Sequence, residues 1–259
     1  MKIDRVIFCL NNNKTYTGLW NPISRAWKLK WDITPTLMFV GTEDELNSND
    51  LSTEYGDIIR LDPVPEVVVD PSLDWSVTWA LFYGATLFPD QVSTLMGLDQ
   101  LLLSDTFLQS VKTNDLITPE TYIVSLADAY KDLPGIYPSA WHIAQGKIFK
   151  ELYSIEDEWE DEVKKVFSIR EKYPRLIPSK WWGLDEAYSS DIIQKMSSDH
   201  KILMYTMFHT YWYPSRLDRS GRLDYSVEQL RSGKYSEAHL PRPYEEHKEY
   251  IDQLIKDLL

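Results

Sequence analysis

Short, almost wholly apolar runs alternate with longer helical patterns along the first half of the chain, and this alternation narrows the possible folds more than any other feature. Val6–Leu10 reads as a buried strand that stops at the turn-forming run Asn11-Asn12-Asn13. Thr36–Val40, closed by Gly41, Ile58–Leu61 and Val92–Leu98 follow as further strands. Between them, Trp20, Ile23, Trp27 and Trp31 share one helical face within 18–31. Asp74 is placed to cap a helix on which Trp75, Trp79 and Phe82 recur at i, i+4 and i+7. Strand–helix alternation of this kind predicts an α/β chain with a largely parallel, doubly wound sheet. The second half is less regular. It carries strands at Thr121–Leu126 and Ile202–Thr206, helices at Ile155–Lys172 and Gly183–Met196, a Pro- and Arg-rich loop near Pro241 and a helix over Glu245–Leu259. The acidic run from Glu156 to Glu162 is expected to be a solvated helix face. At 259 residues the chain suits one core domain with appended elements.

Composition removes several function classes. Hydrophobic residues make up 43% and charged residues 26%, a globular balance that excludes a disordered chain. The formal net charge of −13 repels a phosphate backbone, so no nucleic-acid partner is expected, and an anionic ligand must be met by a few placed Arg, Lys, His or metal groups. One cysteine, Cys9, permits no intrachain disulfide and no cysteine-rich zinc site, which points to a reducing compartment. No run approaches the roughly 20 apolar residues of a membrane span, and Met1-Lys2-Ile3-Asp4-Arg5 leads straight into a strand rather than a signal peptide. A soluble, cytoplasmic protein is expected. With 10 Trp and 16 Tyr, the chain also has the aromatic surplus suited to stacking sugars or bases.

In an open parallel sheet, ligands bind outside the carboxyl ends of the strands, and three polar groups emerge there. Asn11, Asn12 and Asn13 can read a base or ribose edge, or form a plain turn. Asp99 follows the strand at Val92 and can hold a divalent cation against a diphosphate, or cap a turn. Asp185 and Glu186 fall in the first turn of a helix opened by Gly183, where the helix dipole favours negative charge in any case. Adjacent helical residues point about 100° apart, so only one of the two can serve as a base on a given atom. The pair Trp181-Trp182 ahead of them is a sugar platform or core. Beyond the sheet, Leu240 and Arg242 both precede proline and are pushed into extended geometry. A polyproline-type spacing puts His239 and Arg242 on one edge about 9 Å apart, suited to a metal–diphosphate group or to a loop docking the last helix. His142, His200, His209 and His247 have no metal-ligand spacing and are read as structural or surface residues.

Taken together, Val6–Leu10 with its Asn run, Phe88-Pro89-Asp90-Gln91-Val92-Ser93 and the short acidic motif ahead of Leu103-Ser104 resemble GT-A-type glycosyltransferases, particularly uncharacterised bacterial and viral members. Residues 137–149 look like the donor- and acceptor-side loop of that superfamily. Trp182-Gly183-Leu184-Asp185-Glu186 is similar to the Trp-Gly-x-Glu-Asp type motif that supplies the base in several inverting members. The resemblance spans most of the chain and implies a GT-A-like doubly wound, mostly parallel sheet flanked by helices, with a C-terminal helical extension. It divides a single domain over 1–259 into a nucleotide-binding half, 1–105, and an acceptor-side half with the C-terminal extension, 106–259. The implied activity is hexosyl transfer in carbohydrate metabolism, from a nucleotide-diphospho-sugar donor to a glycan or other hydroxyl acceptor. Asn11, Asn12, Asp99 and Arg242 then hold the donor, Asp99 and His239 a metal, and Asp185 or Glu186 acts as the base. One departure stands out: Gly97 occupies the first position of the metal-binding Asp-x-Asp, and Asp99 the second. A single remaining carboxylate implies Mn2+ or Mg2+ bound weakly and only with the donor. The alternative is a degenerate transferase fold without catalysis that binds nucleotide or glycan, or serves in an assembly.

Overall fold

The computed structural model describes residues 1–67, 75–130, 132–156, 158–173, 183–196, 201–206, 215–220 and 223–259. Asp74, the Trp181-Trp182 pair, His200 and His209 lie outside the described residues.

The chain opens with strand β1 (Arg5–Leu10), the short helix α1 (Lys14–Thr17), α2 (Trp20–Trp31), β2 (Thr34–Val40), α3 (Glu43–Asn47), β3 (Asp57–Leu61), α4 (Trp75–Thr86) and β4 (Val92–Leu95). It continues through β5 (Gln100–Leu102), α5 (Thr106–Thr113), β6 (Thr121–Ser125), β7 (His142–Gln145), α6 (Gly146–Tyr153) and α7 (Trp159–Ser168). Helix α8 (Leu184–Met196), β8 (Lys201–Tyr205), β9 (Leu217–Asp218), α9 (Val227–Arg231), β10 (Glu237–His239) and α10 (Tyr244–Leu258) complete it.

Seven strands form the central sheet in the order β3-β2-β1-β4-β7-β6-β8. All neighbours are parallel except β7, which runs against both β4 and β6. This is the mostly parallel, doubly wound α/β sheet that the alternation predicts. β1 and β2 are apolar on both faces because each face carries helices, as parallel sheets require. On one face Trp20, Ile23 and Trp27 of α2 pack under Phe8 and Leu37, and α10 closes over them through Ile251, Leu254 and Leu258. On the other, α4 lies between β1 and β2 below and α6 and α8 above. Enclosed on all sides, it is buried along nearly its whole length and has no polar stripe. Gly146 begins α6 where the backbone passes close under the end of α4; a Cβ there would sit 2.3 Å from the Phe88 carbonyl oxygen. No helix among the described residues is long and apolar enough to cross a membrane.

Three strand-scale expectations are corrected. The strand from Val92 ends at Leu95, because the Gly97 N–H turns back to the Gln100 side chain (2.9 Å) and the Gln100 N–H to the Gly97 carbonyl (2.9 Å). Beyond that turn a second, three-stranded sheet begins, with β10 pairing antiparallel to β5 and parallel to β9. Residues 237–239 are therefore sheet rather than polyproline helix. The acidic run is not wholly solvated: Glu162 is fully buried, takes the Glu156 N–H at 3.2 Å and pairs with Lys165 at 3.1 Å, because α7 turns that residue inward.

Candidate active site

The small sheet builds the first half of the site. Its register sets His239 opposite Gln100 on one side and opposite Asp218 on the other, while the Leu240 N–H donates to the Asp99 carbonyl at 2.7 Å. Asp99, held just beyond the carboxyl end of β4, thereby faces His239 directly. Its Oδ2 lies 3.2 Å from His239 Nε2, 2.5 Å from Arg219 Nη1 and 3.4 Å from Arg242 Nη1. Arg219 is locked in place by its own backbone, whose N–H donates to the His239 carbonyl at 3.1 Å. A second ring of ion pairs stands behind: Arg216 reaches Glu237 at 2.6 Å and Asp218 at 3.4 Å, and Asp218 lies 3.6 Å from His239 Nδ1. Burial raises the Asp99 carboxyl, but the His239 and Arg219 contacts more than offset it and hold it below the usual carboxylate range.

The Asn run stands beside this corner. The Arg242 guanidinium lies 4.5 Å over the ring of Tyr16, in the helix that Asn13 caps through the Thr15 N–H at 3.0 Å. Asn11 accepts the Asn13 N–H at 3.1 Å and Asn12 accepts from the Asn49 amide at 3.1 Å, so much of the run's polarity shapes the turn itself. Both side chains remain half-buried at the end of β1.

The second half of the site is the start of α8. Gly183, in the left-handed region at φ +84°, turns the chain into the helix at a geometry that costs glycine little. Asp185 and Glu186 both anchor on Ser139: its hydroxyl donates to Asp185 and its N–H to Glu186 at 3.3 Å. Tyr130 donates to Glu186 at 2.8 Å, and Thr78 also binds Asp185. Asp185 is only 2% exposed, whereas Glu186 is half-buried. Burial raises both carboxyls well above the ordinary range, and Glu186 is raised further by the Asp185 charge. The loop carrying Ser139 is pinned between strands, with the Trp141 N–H on the Leu95 carbonyl at 2.6 Å and the Ser125 N–H on the Trp141 carbonyl at 3.0 Å. Trp141 itself sits at φ +66°, a conformation a bulky residue holds only when its surroundings impose it.

Cys9 lies near the end of β1, and its thiol is pushed far up by burial and then by the charges of Asp185 and Asp99. His142 plays no part in the site. It is fully buried among Tyr122, Tyr153 and the Pro138 carbonyl, with its pKa lowered by burial to about 4.

Sequence reasoning named Asp99, His239 and Arg242, and the structure brings them to one point. It missed Arg219, Arg216, Asp218 and Glu237. The only signal was the short Arg216-Leu217-Asp218 echo of Arg222-Leu223-Asp224, too brief to carry meaning before β9 was known to lie beside β10. The donor set around Asp99 does not suit a divalent cation. Its carboxylate is already shared by two guanidiniums and an imidazole, and no group of three or more His, Cys, Asp and Glu side chains among the described residues is arranged to hold a metal.

No protein-family profile and no curated protein sequence matches the chain. Solved structures do. The chain is similar to the galactosyltransferase LgtC crystallised with donor and acceptor sugar analogues, at a TM-score of 0.53 and 12% identity over 96% of this chain and 95% of that one. It also resembles an active-site mutant of LgtC, at a TM-score of 0.51 and 12% identity over 92% and 88%. At this identity the likeness speaks for the fold: the chain adopts the GT-A glycosyltransferase fold over nearly its whole length.

Proposed function

We propose that this protein is a glycosyltransferase that moves a sugar from a nucleotide-diphospho-sugar donor to a glycan or other hydroxyl acceptor. The observation that carries the reading is that two groups both adjoin the end of β4. One is the arginine-lined corner around Asp99, just beyond the carboxyl end of that strand. The other is the carboxyl pair Asp185–Glu186, held by Ser139 in the loop whose Trp141 N–H bonds the Leu95 carbonyl. In an open parallel sheet this is where ligands bind.

In this scheme Asn11 and Asn12 face the nucleoside, and Arg242, with His239 beside Asp99, meets the diphosphate. The acceptor oxygen bonds to the anomeric carbon as the bond from that carbon to the diphosphate breaks, and the bond pair leaves with the nucleoside diphosphate. Guanidiniums fixed beforehand at the leaving oxygens stabilise that charge without reorganisation. The acceptor proton passes to a carboxylate. Glu186 is the better placed of the two, because Asp185 is buried against Ser139 and Thr78 while Glu186 keeps an open side. Its raised pKa makes it a strong base once ionised.

Gly97 in place of a first carboxylate favours a second reading, a transferase fold that binds nucleotide or glycan without turnover. One experiment separates them: incubation with a panel of nucleotide-sugars, following release of nucleoside diphosphate in wild type and Glu186→Gln. Release by wild type that falls in the variant supports the transferase. Ligand-induced thermal stabilisation without release in either protein supports the binding module.

A further inference from the structure

We propose that Arg219, paired with Arg242, forms a guanidinium clamp that takes the place of a divalent cation at the donor diphosphate, so that donor binding needs no metal. The proposal rests on the nucleotide-diphospho-sugar reading above.

A cation site at a strand end needs accessible anionic oxygens, and here each carboxylate of the corner already has a cationic partner. Glu237 Oε2, buried without a hydrogen bond, belongs to the carboxylate that Arg216 holds through Oε1. Asp99 Oδ2 is shared by Arg219 at 2.5 Å and Arg242 at 3.4 Å, and Glu237 is held by Arg216 at 2.6 Å. Asp218 lies between Arg216 at 3.4 Å and His239 at 3.6 Å. The position of the missing second carboxylate is also tight: a Cβ on Gly97 would lie 3.0 Å from Asp99 Oδ1 and 3.2 Å from Gln100 Oε1, so both side-chain ends would have to shift. A dication brought to Asp99 would have to approach two fixed guanidiniums that repel it. A diphosphate meets the opposite situation. The planar fork of arginine matches phosphate oxygens in pairs and cannot lose its charge at physiological pH.

Both arginines are preorganised for this. Arg219 is fixed by its N–H on the His239 carbonyl and by one Nη1 donor on Asp99, and its side chain still keeps 27% of its surface open. Arg242 is braced over Tyr16 and keeps 25% open. Asp99 is in this arrangement a positioning residue that aims Arg219, not a metal ligand. In a chain of net charge −13, the three arginines here offset Asp99, Asp218 and Glu237, so an anion meets fixed guanidiniums without the repulsion of the rest of the chain.

The test is calorimetric titration of the full chain with uridine, guanosine, cytidine, adenosine and thymidine diphosphates, each in EDTA and in manganese. At least one should bind, with its Kd in EDTA within threefold of that in manganese. Arg219→Lys keeps a charge beside Asp99 but loses the fork, and should weaken that binding about tenfold in EDTA with an unchanged melting profile. Arg219→Ala should weaken it further. A gap of more than threefold in favour of manganese overturns the clamp while leaving the donor reading standing. Metal-independent binding that is unaltered in Arg219→Lys and Arg219→Ala overturns the role of Arg219. If none of the five diphosphates binds under either condition, the donor reading fails and the clamp with it.

Discussion

Two carboxylate sites stand at the same end of the sheet, similarly hidden from water and in opposite electrostatic states. Asp99 is 7% exposed and Asp185 2%. Around Asp99 the nearest groups are Arg219, His239 and Arg242, and its acid is strengthened in spite of burial. Around Asp185 and Glu186 they are hydroxyls and backbone N–H groups, Ser139, Thr78 and Tyr130, and the Asp185 charge further raises Glu186. Neutral donors do not offset the desolvation of two adjacent charges, whereas guanidiniums do. On the proposed function the difference divides the work: fixed guanidiniums suit holding an anion, and a pair that gains and loses a proton near neutrality suits moving one.

The largest expected effect that tests this division is on turnover. Glu186→Gln should lower nucleotide-sugar turnover at least about 100-fold, within the range general-base groups supply, with donor affinity nearly unchanged. A comparable loss in Asp185→Asn alone, with Glu186→Gln active, would reverse the two roles. The wild-type profile should show the same division. Because the Glu186 carboxyl is raised and must be ionised to act, turnover should fall on the acid side at a higher pH than an exposed carboxylate would give.

Stability should separate the sites next. Asp99→Asn leaves arginines facing one another without their counter-charge and should cost about 1–3 kcal/mol in denaturant unfolding at pH 7. Glu186→Gln should do the reverse in alkaline buffer, where it removes a buried charge. The signs follow from proton linkage. Asp99, lowered in the fold, contributes stability above the ordinary carboxylate pKa that is lost as pH falls through its depressed folded value. The Asp185–Glu186 pair, raised in the fold, keeps its protons longer than the unfolded chain and so subtracts stability as pH rises through its raised values. Unfolding curves for the two variants between pH 3 and 9 should both depart from wild type as the pH rises, in opposite directions: Asp99→Asn less stable above the ordinary carboxylate range, Glu186→Gln more stable at the alkaline end. Departures of the same sign would mean the sites are not electrostatically distinct.

The smallest effect is expected at the Asn run. Asn12→Ala removes the hydrogen bond from Asn49 and should cost about 0.5–1.5 kcal/mol. A larger loss of nucleotide affinity than of stability would bring Asn12 into the binding corner. Stability loss alone would leave it a turn residue.

Much of the fold was legible because burial on both faces leaves a local mark. Val6–Leu10 and Thr36–Val40 are apolar at successive positions, which only strands covered by helices on both sides tolerate, and the strands appear there. The helices around Trp20 and Trp75 declared themselves by the spacing of their tryptophans. The end of β4 was not readable: the apolar run continues through Leu98, and the turn at Gly97 is closed by a Gln100 side chain whose part the local pattern does not encode.

By itself the sequence determined the helix-covered strands β1 and β2, the helices around Trp20 and Trp75, and that Asp99 lies near a strand end; β5, β7, β9 and β10 left no such mark. Only the tertiary structure decided what each polar group meets. Arg219 stands 120 positions from Asp99, and their contact depends on β10 pairing with β5 on one side and β9 on the other. Glu162 lies in an acidic run that reads as solvated and is buried all the same. Periodicity is a property of neighbours along the chain and records which way a side chain faces. A charge state is set by whatever neighbours crowd the carboxylate in space, and here those neighbours are brought in by strand pairing between distant segments.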